Sequence, residues 1–202
     1  MMDPCDIFIY VFVGFILVVC ISNVLHSDAL NLKCIISTVD GNQYCVRDRR
    51  RIKEAADLLA TVTGRCTKLV NYLHEKFPDD SRCVLLYKNY RPDRIRETLP
   101  TSSLKAYSEN KGAKIAFCLN KKEHNNEELI DLNTLTFVAL HELSHLMTVS
   151  IGHNRDFWVN FKFILSQAIA IKIYNPVNYK KEPTDYCGMN ITDNPYYDLK
   201  TV

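Results

Sequence analysis

No lysine or arginine occurs before Lys33, and no charged residue of either sign falls within residues 7–25. The chain is also poor in net charge. Twenty-five basic residues against 23 acidic ones leave a formal +2, too little to argue for nucleic-acid binding. None of the eight cysteines lies in a Cys-x-x-Cys spacing, which argues against a cysteine zinc site. There is no internal repeat. With 24% charged and 47% hydrophobic residues, nothing reads as disorder or low complexity. A length of 202 residues suits one domain plus appendages.

The uncharged run "IFIYVFVGFILVVCISNVL", residues 7–25, is long enough to suggest a bilayer-spanning helix, which needs ~20 mostly apolar residues. A secretory signal peptide fits worse. Its leading segment is basic and its apolar core is ~7–15 residues, whereas the flank "MMDPCD" is acidic. The expectation is a single-pass membrane protein, contacting the lipid bilayer through residues 7–25. All nearby basic residues (Lys33, Arg47, Arg49, Arg50, Arg51) follow the run. By the positive-inside rule the C-terminal part then faces the cytosol. The six cysteines from Cys34 to Cys187 are in that case expected as reduced thiols. The sequon at Asn190 would carry no glycan.

The pattern divides the chain into an anchor at 1–26, a juxtamembrane connector at 27–46 and one domain at 47–202. The connector has a hairpin signal at Asp40-Gly41. Apolar residues recurring at three and four predict a helix over residues 48–77, ended by Pro78. "RCVLLYKNY" reads as a strand, and "KAYSENKGAKIAFCLN" as two strands about a turn. "RDRRRIK", residues 47–53, could touch anionic head groups or simply begin a solvated helix. Asn133 and Asn154 are candidate caps for helices running to about 147 and 173. The tail reads as mostly irregular, but it is rich in tyrosine.

Three of the six histidines crowd into "VALHELSHLMTVSIGHNRDFW", residues 138–158, with the only tryptophan. His141 and His145 are four apart, so a helix projects both from one face. Two neutral imidazoles so placed can bind one Zn²⁺. Glu142 is rotated ~100° from His141. Its carboxylate therefore sits beside the metal, where it can take a proton from water that zinc activates. That is the physical content of H-E-x-x-H. A catalytic zinc needs a third protein ligand and an open position. His153 is the candidate, and Gly152 before it supplies the freedom to turn the chain back. A helix as apolar as "TLTFVALHELSHLM" is a buried one, and two buried histidines beside a buried Glu call for a shared partner.

"LHELSHLMTVSIGHNRDFW" resembles the WLM and SprT-like zinc metallopeptidases: HExxH, a short turn, then a His followed by polar residues and Phe-Trp. "DYCGMNITDNP" in the tail looks like a segment of metallopeptidase-like membrane proteins of large DNA viruses. The resemblance implies metal ligands His141, His145 and His153 and a catalytic Glu142. It also implies an α+β zincin-like domain, with the active-site helix packed on a small sheet, behind one N-terminal transmembrane helix. The metzincin spacing does not fit, because Thr148 and Ile151 stand where Gly and His are needed. The long basic DNA-binding tail of the crosslink-repair members is absent, so their substrate does not carry over. No specific nucleic-acid binding is expected.

The function read here is a membrane-anchored, zinc-dependent metallopeptidase acting on a protein or peptide substrate, in a host or virion membrane if the chain is viral. The alternative is a non-enzymatic membrane or virion protein that uses a zinc-bound zincin fold as scaffold. Zincins commonly hold extended substrate on an edge strand, and "AKIAFCLN" is the candidate strand. Asp156 is an alternative ligand to His153, and Tyr174, Tyr179 and Tyr186 are candidate oxyanion stabilisers. Trp158 reads as core behind the site, and His74 and His124 as solvated.

Overall fold

The computed structural model describes residues 4–25, 32–100, 102–122 and 125–197. Helix α1 (Pro4–Leu25) is followed by the hairpin β1 (Leu32–Ile36) and β2 (Gln43–Arg47). Helices α2 (Ile52–Lys76) and α3 (Ser81–Asn89) come next, then strands β3 (Ile95–Glu97), β4 (Ala106–Glu109) and β5 (Lys114–Phe117). A second hairpin pairs β6 (Asn120–Lys122) with β7 (Asn125–Leu129). Helices α4 (Leu132–Met147) and α5 (Arg155–Ala170) precede a tail hairpin of β8 (Thr184–Tyr186) and β9 (Met189–Ile191).

The spanning-helix expectation is corrected. A hydrocarbon core is ~30 Å thick and takes ~20 predominantly apolar residues to cross. Among the described residues no helix is long and apolar enough to cross a membrane. The single-pass placement with a cytosolic domain is withdrawn with it.

The core is built around α4. Twelve of its residues are buried, and α2, α3, α5 and the β4 edge pack around it. One face of α2 explains the fit: Ala55, Leu59, Val62, Cys66, Leu69 and Leu73 form one buried stripe at three and four. The hairpin β1–β2 is part of the same core, since Tyr44 and Val46 are buried in it.

Four local expectations differ. "RCVLLYKNY" is the helix α3, because the Asp80 carboxylate accepts from the Arg82 N–H and Cys83 and Leu86 bury at a spacing of three. In the three-stranded sheet the order is β3-β5-β4, so "AKIAFCLN" supplies the central strand and β4 is an edge. The cysteines are not all reduced thiols: Cys34 bonds Cys45, its directly opposed cross-strand partner, and Cys118 bonds Cys187. "RDRRRIK" is solvated only in part, with Arg50, Arg51 and Lys53 exposed. Arg47 and Arg49 turn inward to Glu97, whose side chain is fully buried. Glu97 also accepts the Arg47 backbone N–H at 2.7 Å, and Arg49 reaches Asn120 Oδ1 at 2.6 Å.

His74 is not solvated, since its ring stacks on Tyr87 at 3.9 Å between centroids. His124 lies outside the described residues.

Candidate metal centre

Helix α4 starts at Asp131, whose carboxylate accepts the Thr134 N–H at 2.9 Å. Asn133, the expected cap, instead pairs both ways with the backbone of Asn175. One face of the last two turns carries His141 and His145, with ring centroids 5.0 Å apart. The helix stops at Thr148, and the chain reverses through Gly152, which has φ of +87°. A left-handed φ of this kind costs glycine least. Asn154 then caps α5 by accepting the Phe157 N–H at 3.1 Å. Between the turn and the cap stands His153, aimed back at α4.

The three imidazoles converge. Their ligand atoms all lie within 4.8 Å of one another, and His153 Nε2 is 3.0 Å from His141 Nε2. Two nitrogens of a tetrahedral zinc site, each 2.0–2.1 Å from the metal, stand roughly 3.3 Å apart. The donor set therefore fits a zinc ion. Burial makes both helix histidines poor bases: His141 is pushed down to about 3 and His145 to about 4, with each also repelled by His153. Neutral imidazole is the form that binds a metal.

Phe157 is the floor of the cluster. Its ring lies 4.9, 4.4 and 4.6 Å from those of His141, His145 and His153. The sequence marks Phe157 only as a buried helix position, and nothing in its spacing signals contact with all three rings. Trp158 is half-buried and is not simply core. Its indole Nε1–H donates to the His153 carbonyl at 3.0 Å.

Glu142 is 4% exposed and borders the same cleft. Burial pushes its carboxyl up to about 7, against an opposing hydrogen bond from Ser108 on β4. Lys111, in the turn after β4, donates to the carbonyls of Thr148 at 2.6 Å and Ser150 at 3.1 Å. It thereby ties down the loop that carries His153. Gly112 beside it has no room for a side chain, because a Cβ there would lie 2.3 Å from the Asn89 carbonyl oxygen. On the other side of the loop, Asn160 of α5 donates to the Thr148 hydroxyl at 2.9 Å.

The remaining candidates divide. Asp156 lies in the first turn of α5 and lines a different depression, beside Arg82 and Asn160. Tyr174 and Tyr179 pack on Phe137, with centroids 5.9 and 4.9 Å away, and do not border the histidine cleft. Tyr186 alone lines the space beside Glu142, and its hydroxyl donates to the Lys105 carbonyl at 3.2 Å.

No family model matches the chain. Uncharacterized protein R325 of Acanthamoeba polyphaga mimivirus is 27% identical over 162 residues, 78% of this chain and 81% of that protein. Uncharacterized protein 136R of Invertebrate iridescent virus 6 is 31% identical over 83 residues, 41% of this chain and 45% of that one. The chain is similar to virus-encoded proteins. Among solved structures, Wss1 from Saccharomyces cerevisiae aligns over 62% of this chain and 84% of its own, at 16% identity. Its TM-score is 0.47, too low to carry an argument about function.

Proposed function

We propose that this protein is a zinc metallopeptidase in which His141, His145 and His153 hold the metal and Glu142 is the general base. The observation that carries the reading is the convergence of three imidazoles within 4.8 Å beside a buried carboxylate. Zinc bound there supplies a Lewis acid and lowers the pKa of its water to ~7. The protein's own groups do the rest. Glu142, poised near neutrality by burial, accepts the proton of the attacking water and returns it to the leaving amine. Ser108 holds the carboxylate in place. Phe157 keeps the rings packed and excludes water from beneath them. The outer edge of β4 runs along the cleft, as Ala106, Ser108 and both helix histidines line it together. An extended peptide can add to such an edge as a further strand.

The test compares wild type, Glu142→Gln and His153→Ala for zinc content by mass spectrometry and for cleavage of a general protein substrate. Glu142→Gln keeps one equivalent of zinc and loses hydrolysis. His153→Ala loses both, because two imidazoles and solvent make a weak site. Zinc bound by a wild type that cleaves nothing would favour the scaffold reading. A wild type that binds no zinc would overturn the metallopeptidase reading.

A further inference from the structure

Beside the histidine cleft lies a second chamber, of about 510 Å³, in the size range of ligand pockets. The two share Leu104, Ala106, His141 and Glu142, so they are continuous. Ala106 is the smallest of these shared residues. The walls of the chamber are of a different kind from the cleft. Phe137, Val138, Trp158 and Phe161 come from α4 and α5, and Met189 and Ile191 from the tail hairpin. No lysine or arginine lines it except Lys105 at the rim beside β4.

The tail wall is fixed in three ways. Cys187, at the tip of the hairpin, is bonded to Cys118 beside the end of β5. Its backbone N–H donates to the Lys121 carbonyl at 3.0 Å. The neighbouring Tyr186 hydroxyl is held by Lys105. Cys187 and Gly188 have φ of +51° and +80°, the two left-handed residues of a tight hairpin turn. The wall is therefore rigid.

Strand β4 supplies the direction of approach. Cys118 donates its N–H to the Lys105 carbonyl, and the register runs Ala106↔Phe117, Tyr107↔Ala116, Ser108↔Ile115. In an antiparallel ladder the hydrogen-bonded pairs alternate. Lys105 and Tyr107 thus face β5, and the backbone N–H and C=O of Ala106 and Ser108 face away from it, along the cleft. A strand docked on those groups runs past the histidines and past the mouth of the chamber. Its side chains alternate between the two faces, so one of them enters the chamber next to the bond held at the cluster.

We propose that this chamber selects the substrate: it receives one bulky apolar side chain, aromatic or branched aliphatic, of a peptide lying extended along the outer edge of β4. The position of that side chain beside the cleaved bond rests on the metallopeptidase reading; the binding itself does not. Burying a leucine or phenylalanine side chain among these walls favours it over alanine by at least about tenfold in binding, and a carboxylate is rejected more strongly, because it loses its water among apolar walls and meets the Asp193 carboxylate, with Lys105 only at the rim.

The protein reports on this site itself, because Trp158 is the only tryptophan and lines the chamber. The full-length Glu142→Gln protein is titrated with capped octapeptides of one host sequence, differing at a single guest position: Leu, Phe, Ala or Asp. Trp158 emission shifts to the blue, with dissociation constants for Leu and Phe at least tenfold below that for Ala. Met189→Asp brings the Leu and Phe constants to within about twofold of the Ala constant. Met189 is 49% exposed, so its replacement leaves the fold intact. Equal constants for all four guests, no detectable binding, or an unaltered preference in Met189→Asp overturns the proposal. A parallel cleavage assay with wild type separates the two readings. Guest-selective binding without cleavage of any peptide upholds the chamber and sinks the hydrolysis. Cleavage of all guests at one rate does the reverse.

Discussion

Trp158 holds the backbone of the residue whose side chain completes the cluster: its Nε1–H meets the His153 carbonyl at 3.0 Å. The contact joins the first turn of α5 to a loop that Lys111 and Asn160 also hold. Trp158→Phe keeps the ring and removes the donor. A hydrogen bond of this type contributes about 1 kcal/mol to stability, so the metal-free protein should lose about that much, and zinc affinity should fall by up to roughly fivefold in chelator competition. An unaltered affinity would mean that Lys111 and the turn at Gly152 hold His153 without help.

Phe157 touches all three imidazoles and is fully buried. Phe157→Ala should cost ~3–5 kcal/mol, the usual range for emptying a buried phenylalanine site. It should also weaken zinc binding, because the rings lose their floor. Phe157→Leu should recover most of the stability. Urea unfolding with and without chelator reads both quantities. Equal zinc affinity in wild type and Phe157→Ala would reduce the ring to core packing.

The buried Glu97 carboxylate pairs with both Arg47 and Arg49. Glu97→Gln leaves two largely buried guanidinium groups uncompensated. Removing one partner of a buried ion pair costs ~3–5 kcal/mol, and the loss should appear as a lowered denaturant midpoint. A change below about 1 kcal/mol would show that Asn120 and the Thr98 backbone suffice to hold both arginines.

Two glycines with positive φ separate strain from collision. Gly41 has φ of +73° with open space around it, so Gly41→Ala costs only the ~1–2 kcal/mol of a left-handed alanine. Gly112 has φ of +104° and the Asn89 carbonyl 2.3 Å from any added Cβ. Gly112→Ala must move backbone as well and should cost ~3 kcal/mol or more. Equal losses in the two variants would contradict the close packing of this turn on α3.

The disulfides should differ in worth. Cys118–Cys187 closes a loop of sequence separation 69, and Cys34–Cys45 one of 11. Loop-closure entropy sets ceilings of ~4 and ~3 kcal/mol respectively. Cys187→Ser should also loosen the tail wall of the chamber. Unfolding of each Ser variant, compared under oxidising conditions, gives the ranking; a larger loss at Cys34 would reverse it.

Much of this was legible in the sequence because the signals were local. The stripe on α2, the cap at Asn154 and the four-residue spacing of His141 and His145 all depend on neighbours within a turn or two. The return of His153 to the helix was readable from Gly152, since only a reversal brings it back. What stayed hidden depended on distant chain. "RCVLLYKNY" has the apolar content of a strand, and only the Asp80 cap and the burial of Cys83 with Leu86 decide for a helix. "AKIAFCLN" reads as a strand whichever place it takes in a sheet, but β3 arrives on its far side in parallel and makes it central. The inward turn of Arg47 and Arg49 required Glu97, some fifty residues away. The partnership of Cys118 with Cys187 depended on a hairpin in a tail that reads as irregular.

The donors of the cluster are all imidazole nitrogens. Among the described residues no thiol joins the cluster: Cys34, Cys45, Cys118 and Cys187 are paired, and burial pushes the Cys66 and Cys83 thiols up to about 12 and about 11. Such a site has no soft or hard ligand with which to sort metals. Copper(II) outranks zinc at nitrogen donors in the Irving–Williams order, and nickel is accepted too. Occupancy is then decided by which ion the surroundings supply. A preparation taken from a nickel affinity resin will carry the resin's metal, so stripping and reloading must come before any measured activity is assigned to the native ion.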